Sequence, residues 1–340
     1  MDRYVILGAG AAGLRAAEVL RERRPDDRIT LISAEATPFI ERHRLAGYVV
    51  DHTPLEQLIV YPPAWYQERK LELRLNQPVV SVRPSDRTLL LAHRERLRYD
   101  QLLICVGARH RVPPYLNRFE DLLTPFSTTA DAIRLRARLP AMRHLTLIGG
   151  DCVGLQLVSA LQSAHKLLTL IMDEYRFWPF EFDDAAKDRL TEALVKKGVE
   201  VLRDDYLTGI SRADGRLALE TKSGRRVTTD AAMLTAGLSP SLGFLLDSTI
   251  DLQEGVLVND HLESSIPGIW AAGECAQVYH PELKDYRCST GSVNAEQQGR
   301  LAARNLLGAT ETVKLPEPGK VTIAGEQFIT YGWKGFSLDD

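Results

Sequence analysis

The sequence predicts an α/β chain built from two nucleotide-type βαβ units, and three observations carry that expectation. An apolar strand near the start runs into the turn Gly8-Ala9-Gly10-Ala11-Ala12-Gly13. An altered copy, Gly149-Gly150-Asp151-Cys152-Val153-Gly154, follows about 140 residues later, and Gly268 to Ala276 reads as a further strand ending in a turn of small residues with one acid. At 340 residues the chain is more than twice the usual domain size, so a single hydrophobic core is not expected. Its 44% hydrophobic, 26% charged and 7% aromatic residues describe an ordinary folded protein and exclude the disordered, collagenous and coiled-coil classes.

In the first unit, Val5 to Leu7 is a short buried strand, Ala12, Ala16, Val19 and Leu20 recur at helical spacing, and Ile29 to Ile32 is a second strand. Glycine is needed at each place in the turn between them. Gly8 allows the tight turn, Gly10 lets backbone approach a pyrophosphate, and Gly13 lets the helix pack close on the strand. The helix N-terminus offers unpaired N–H groups to phosphate, and Glu35 stands just past the second strand, so the unit implies dinucleotide binding. The second unit repeats the order: Leu145 to Ile148, the glycine turn, Val158 and Leu161 at helical spacing, then the strand Leu167 to Met172. Behind the strand at Gly268, Ala295 to Arg300 opens a helix that runs through Leu307, an arrangement suited to the far end of a bound cofactor.

Charge and composition remove other readings. The net charge of −3 gives no electrostatic reason to expect nucleic acid, although Arg outnumbers Lys by 32 to 10. The uncharged stretch Cys152 to His165 is too short and too polar to span a bilayer. The first residues run straight into a strand with no basic leader or cleavage site, so a cytoplasmic protein is expected. Cys105, Cys152, Cys275 and Cys288 form no CxxC pair and are too sparse for a disulfide framework, and the histidines show no HxxxH or HExxH spacing, so no metal site is predicted. No GxSxG elbow appears.

Four segments carry a family resemblance that covers nearly the whole chain. They are Gly8 to Gly13; Tyr99-Asp100-Gln101-Leu102-Leu103-Ile104-Cys105-Val106-Gly107-Ala108, similar to YDxLLxATGA; Leu234-Thr235-Ala236-Gly237-Leu238-Ser239-Pro240, similar to VxxAxGxxPN; and Gly268 to Ala276, similar to IYAAGDCA. The sequence resembles the two-dinucleotide-binding-domain FAD/NAD(P) oxidoreductases of the pyridine-nucleotide disulfide reductase superfamily. Within them it is most similar to the branch of rubredoxin reductase, the oxygenase ferredoxin reductases, apoptosis-inducing factor and the flavin module of nitrite reductase. The resemblance implies two Rossmann-like domains, the second inserted in the first: residues 1–113 with 238–310 for FAD, 114–237 for NAD(P)H, and 311–340 as a truncated C-terminal β remnant. It implies FAD contacts at Gly8, Gly10, Ala11, Ala12, Gly13, Glu35, Arg42, Val80, Gly107, Ala108, Gly273, Glu274 and Gln298, with Glu274 standing for the usual Asp.

Departures from the family pattern gather in the nicotinamide half, where Gly149, Asp151, Gly154, Met172, Asp173 and Gly237 form a degenerate site. Asp151 stands where the second fingerprint glycine lets backbone touch a pyrophosphate. Two like charges about 4 to 5 Å apart repel by roughly 3 to 4 kcal/mol at an effective dielectric near 20, which is more than a hundredfold in affinity. Met172 occupies the expected slot of the ribose acid, with Asp173 a substitute after a one-residue slip. Where the branch reads RPPLSKxYL, this chain has Arg42-His43-Arg44-Leu45-Ala46-Gly47-Tyr48-Val49, so Gly47 replaces the lysine, and Gln156 replaces the glutamate that pairs with it beside the flavin. Losing both members avoids a buried unpaired charge. Each change also has a harmless reading, such as an Asp151 carboxylate turned to solvent.

Val321 to Gly325 and Phe328 to Gly332 resemble the opening strands of the C-terminal domain that covers the flavin and often makes the dimer, and the sequence ends at Asp340. A covering subunit or a homodimer is therefore expected. The reading is an FAD-dependent oxidoreductase relaying electrons to a protein or small-molecule acceptor with impaired or altered NAD(P)H use. The alternatives are an ordinary NADH-dependent rubredoxin or ferredoxin reductase, and a non-catalytic FAD-bearing subunit that docks on a partner.

Overall fold

The structure, a computed structural model, describes residues 2–173, 177, 179, 182–315, 319–330 and 333–335. Among these, seven helices follow in order: α1 (Ala11–Arg23), α2 (Leu45–Val50), α3 (Pro63–Glu68), α4 (Thr129–Arg138), α5 (Cys152–Ser163), α6 (Asp184–Lys196) and α7 (Ser292–Leu306).

The apolar run Tyr4 to Leu7 is buried on both faces, as a strand inside a parallel sheet must be. Its sheet has the order Ile269–Ala271, Gln101–Ile104, Arg3–Leu7, Arg28–Ile32, Leu71–Arg74, with every neighbouring pair parallel. The crossover from Arg3–Leu7 to Arg28–Ile32 is α1, which buries Ala12, Gly13, Leu14, Ala16, Ala17 and Leu20. α7 crosses α1 at small residues: a Cβ on Gly299 would lie 2.1 Å from the Ala12 carbonyl oxygen, and Arg15 Nε reaches Glu296 at 3.0 Å beside that contact.

A second parallel sheet has the order Val199–Arg203, Leu167–Met172, His144–Ile148, Ala231–Leu234, Leu123–Thr124. Here α5 is the crossover helix, and Leu145, Leu147, Leu157, Val158, Leu161, Leu168 and Leu170 fill one core with α2 and α4. All its strands fall inside the gap between Gln101–Ile104 and Ile269–Ala271 of the first sheet, so the second unit is inserted in the first. The chain leaves and returns through Arg109–His110 and Leu238–Ser239, which pair antiparallel. Three-stranded antiparallel sheets, Val79–Arg83/Thr88–Leu91/Arg96–Arg98 and Leu207–Ala213/Arg216–Thr221/Arg226–Thr229, bridge strands within each unit.

Near the C-terminus, Gly319–Ile323 and Glu326–Thr330 form an antiparallel hairpin turned by Ala324 and Gly325, both at positive φ (54° and 90°), the twist that two-residue hairpin loops favour. Ile323 and Phe328 bury against the inserted unit, where the Phe182 ring lies 4.7 Å from that of Phe328. The expected segment's last two residues, Tyr331 and Gly332, lie outside the described residues. No described helix is long and apolar enough to cross a membrane.

Candidate functional site

A cavity of about 690 Å3 opens between the two units. Its floor is the first glycine turn. Gly8 sits at φ +106°, and a Cβ there would lie 2.1 Å from the Cys105 carbonyl oxygen; one on Gly13 would lie 2.0 Å from the Gly8 oxygen. These two glycines therefore serve close packing. Gly10 differs, because a Cβ on it meets nothing within 4 Å and would project into open space. Gly10 is also the N-cap of α1, with no side-chain cap and no acid in the first turn. The N–H groups of that turn thus face open space beside Gly10, the arrangement that takes a phosphate. Gly8, Gly10, Ala11, Ala12, Gly107, Ala108, Gly273 and Glu274 all line the cavity, as do Glu35 and Arg42. In the same wall, Thr37 and Gln77 carry buried side-chain oxygens with no partner among the described residues. The donors, acceptors and elongated space fit a dinucleotide.

Of the three acids lining this cavity, Glu35, Glu41 and Glu274, the first and last are shaped by their surroundings. Glu35 is bonded by Arg42 through both carboxylate oxygens, one at 3.1 Å from Nη1, and by the Thr129 hydroxyl at 3.2 Å. Burial works to raise its pKa, but the Arg42 and Thr129 hydrogen bonds and the Arg42 charge hold it below the usual carboxylate range. Glu274 accepts from the Gly291 N–H at 3.1 Å, and burial pushes it up against the opposing charge of Arg42.

Three sequence-predicted contacts sit differently. Val80 is 47% exposed at a register shift in the strand pairing of Val79–Arg83, while its neighbour Val79 lines the cavity. A bulge reverses which residue faces inward. Gln298 is buried behind the wall, where its Oε1 accepts from the Gly273 N–H at 2.8 Å and its Nε2 donates to Ser289 Oγ at 2.7 Å. It shapes the Gly273 turn and does not line the cavity. Gly13 likewise lies beneath the floor.

The second glycine turn copies the packing of the first and not its vacancy. A Cβ on Gly149 would lie 2.4 Å from the Thr235 oxygen, and one on Gly154 would lie 2.7 Å from Thr235 Cβ. Between them Asp151 is the N-cap of α5 and only 1% exposed. Its Oδ1 accepts from the Gly154 N–H at 2.7 Å and its Oδ2 from the Gly237 N–H at 3.0 Å. The carboxylate is not turned to solvent; it fills the seat that Gly10 leaves open in the first unit. Burial raises its pKa to about 6, against the amide hydrogen bonds of Gly154, Gly237 and Val153.

Met172 is 1% exposed within the core cluster, so it offers nothing to a ribose, and Asp173 stands exposed at the strand end. The registers Leu7↔Ile32 and Ile148↔Ile171 make Ile171 the counterpart of Ile32. Glu35 lies three residues beyond Ile32, and the matching position beyond Ile171 is Glu174, which the sequence reading passed over and which lies outside the described residues. Gly47 lies within α2, which packs on α4 and α5, and does not line the cavity, whereas the exposed Gln156 of α5 does. A Cβ on Gly47 would meet only Asp51 Oδ2, at 3.4 Å.

Two lining or supporting residues were missed by sequence reasoning. Cys152 lines the cavity from the first turn of α5, and Thr129 reaches Glu35 across 94 residues of chain. The Thr128-x-x-Asp131 capping box marked the start of α4, but nothing local showed what that helix end would meet. None of Cys105, Cys152, Cys275 and Cys288 forms a disulfide, and no cluster of three His, Cys, Asp or Glu among the described residues could hold a metal ion.

A family model described as pyridine nucleotide-disulphide oxidoreductase matches residues 2–299. The chain is 26% identical over 316 residues to the 3-phenylpropionate/cinnamic acid dioxygenase ferredoxin–NAD(+) reductase component of Photorhabdus laumondii, covering 93% of this chain and 79% of that one. It is 24% identical over 339 residues to the NADH-rubredoxin oxidoreductase of Clostridium acetobutylicum, covering 97% and 81%. Among solved structures, the ferredoxin reductase for the CYP199A2 system from Rhodopseudomonas palustris superposes with a TM-score of 0.88 at 23% identity, covering 96% of this chain and 81% of that one.

Proposed function

The chain belongs to the pyridine nucleotide-disulphide oxidoreductases, and on that premise we propose an FAD-dependent enzyme that passes electrons to a protein acceptor of the ferredoxin or rubredoxin class, with NAD(P)H use weakened at its second nucleotide turn. Residues 1–113 and 238–310 form the FAD unit in this reading, 114–237 the nicotinamide-type unit, and 311–340 a C-terminal segment that follows them. The α1 N-terminus and Gly10 would receive the pyrophosphate, Glu35 the adenosine ribose, and Glu274 the other end of the cofactor. When bound, FAD supplies hydride and single-electron chemistry at its isoalloxazine ring. The protein's share is to orient that ring in the cavity and to keep Arg42 between the two acids, since Arg42 acts on both Glu35 and Glu274. The acceptor class rests on what the relatives' names say of those proteins.

The observation that carries the reading is the contrast between the two helix ends. One is uncapped and faces a cavity, and the other is closed by the chain's own carboxylate. An ordinary NADH-dependent reductase is the second reading, favoured by the intact packing of Gly149 and Gly154 on Thr235 and by the names of the relatives. Anaerobic stopped-flow reduction separates the two. The protein is expected to purify yellow with non-covalent FAD and to bleach slowly with NADH and NADPH. Rapid bleaching at micromolar NADH would establish the second reading, and a colourless protein that takes up no added FAD would end both.

A further inference from the structure

Glu35 is gripped from two sides, and the two grips differ in kind. Arg42 is a long side chain that is 52% exposed, so its ion pair with Glu35 is mobile and weak on its own. Thr129 is 3% exposed, stiff at χ1 because it is β-branched, and fixed as the first residue of α4 by the Thr128–Asp131 capping box. Its hydroxyl donates to Oε2 of Glu35 at 3.2 Å and its backbone N–H also bonds that carboxylate, while Arg42 reaches both carboxylate oxygens. α4 belongs to the inserted unit and Glu35 to the first, so this hydrogen bond ties the two together at the cavity wall.

We propose that Thr129 is a positioning residue for the adenosine end of the flavin cofactor: it pins Oε2 of Glu35 from the inserted unit and so turns Oε1 towards an incoming ribose hydroxyl. The inference rests on the reading that FAD occupies this cavity. Of the other ionisable groups nearby, Glu41 and His43 flank Arg42 at the cavity and approach each other at 3.9 Å. Asp131 of α4 accepts from the Ser127 and Thr128 N–H groups and pairs with Arg134, and Glu274 across the cavity feels Arg42. The segment Asn76–Gln77, which also packs on Glu35 through the Asn76 N–H, carries no charge. Removing the Thr129 hydroxyl takes away one of the bonds that hold Glu35 ionised, so its pKa rises.

The test is FAD binding to apoprotein, followed by quenching of flavin fluorescence as a function of pH. Thr129→Val should weaken FAD about two- to tenfold at neutral pH, the worth of one hydrogen bond, and should move the acid limb of binding to higher pH. Thr129→Ser should restore both. In a Glu35→Gln background the limb should vanish and Thr129→Val should no longer shift anything. Loss of affinity by the same factor at every pH, or wild-type behaviour of Thr129→Val, would overturn the assignment. Should wild-type apoprotein bind no FAD, the functional reading itself would be at fault. If Thr129→Val does not fold, the Thr129→Ser and Glu35→Gln profiles decide: a serine variant that shifts the limb as far as Glu35 substitution does would refute the hydroxyl's role.

Discussion

Replacing Asp151 by glycine should open the second nucleotide turn, and the magnitude follows from its geometry. A pyrophosphate seated on the α5 N-terminus would meet the carboxylate at about 4 to 5 Å, where the repulsion is roughly 3 to 4 kcal/mol at an effective dielectric near 20. With a pKa of about 6, Asp151 is largely ionised at pH 7, but protonating it there costs only about 1.4 kcal/mol, and that cost caps the penalty the repulsion can impose. The substitution also frees the Gly154 and Gly237 N–H groups that Asp151 now occupies. NADH affinity of Asp151→Gly should therefore exceed wild type by about tenfold at pH 7. Wild-type affinity itself should improve as pH falls through about 6. Stability gives an independent reading of the same group. Its folded pKa stands above the ordinary 3.8, so the contribution of Asp151 is fully present below 3.8 and is lost as pH rises through about 6. That loss totals roughly 3 kcal/mol, of which about 2 falls between pH 4.5 and 7, and it should appear as the difference between wild-type and Asp151→Gly urea unfolding. Equilibrium titration with NADH under anaerobic conditions is the primary assay. A flavin-loaded Asp151→Gly protein whose NADH affinity stays within threefold of wild type would refute the idea that this carboxylate closes the site.

Gly10→Val should yield folded, colourless protein, because a Cβ there meets no protein atom within 4 Å and projects into the pyrophosphate seat; lost FAD absorbance with a melting temperature equal to that of wild-type apoprotein is the expected pair of results. Gly299→Ala should destabilise the chain by several kcal/mol in urea unfolding, since its Cβ would lie 2.1 Å from the Ala12 oxygen and α1 and α7 must part to admit it. In the Asp151→Gly background, Gln156→Glu with Gly47→Lys should exceed the sum of the single changes in NADH-driven flavin reduction by about 0.5 to 3 kcal/mol. The coupling should lie at the lower end because Asp51, 3.4 Å from a Cβ on Gly47, competes for the introduced ammonium. Additivity would show that positions 47 and 156 do not meet.

What was legible in the sequence was whatever local pattern and backbone sterics decide. The two βαβ units and their glycine turns follow from a local strand-turn-helix pattern, although the atoms that require Gly8, Gly149 and Gly154 belong to Cys105 and Thr235, far off in the chain. Reading failed where a partner came from far away or where one residue of register mattered. Val80 was assigned to the cofactor through the family pattern, which cannot show the register shift between Val79 and Ser81, and Met172 was placed in the ribose slot by taking the end of the strand, whereas the strand pairing makes Glu174 the counterpart of Glu35. Gln298 looked like a cofactor contact, but the backbone N–H of Gly273 takes its carbonyl. Asp151 stood out as a departure from the family's glycine, yet its second acceptor oxygen could not be assigned without knowing that the loop after Ala231–Leu234 brings Gly237 beside it.

The seating of Ile269–Ala271 beside Gln101–Ile104 bears on the order in which the molecule is made. A ribosome delivers the N-terminal glycine turn first, but the strand that flanks its sheet and the helix that packs on α1 emerge some 260 residues later. The inserted unit is complete by Leu234 and owes nothing to that late segment for its sheet, so it can consolidate while the earlier unit waits with an exposed strand edge. Nascent chains halted before residue 269 should expose that edge to chaperones and to one another, and cofactor should enter only after α7 has cleared the exit tunnel.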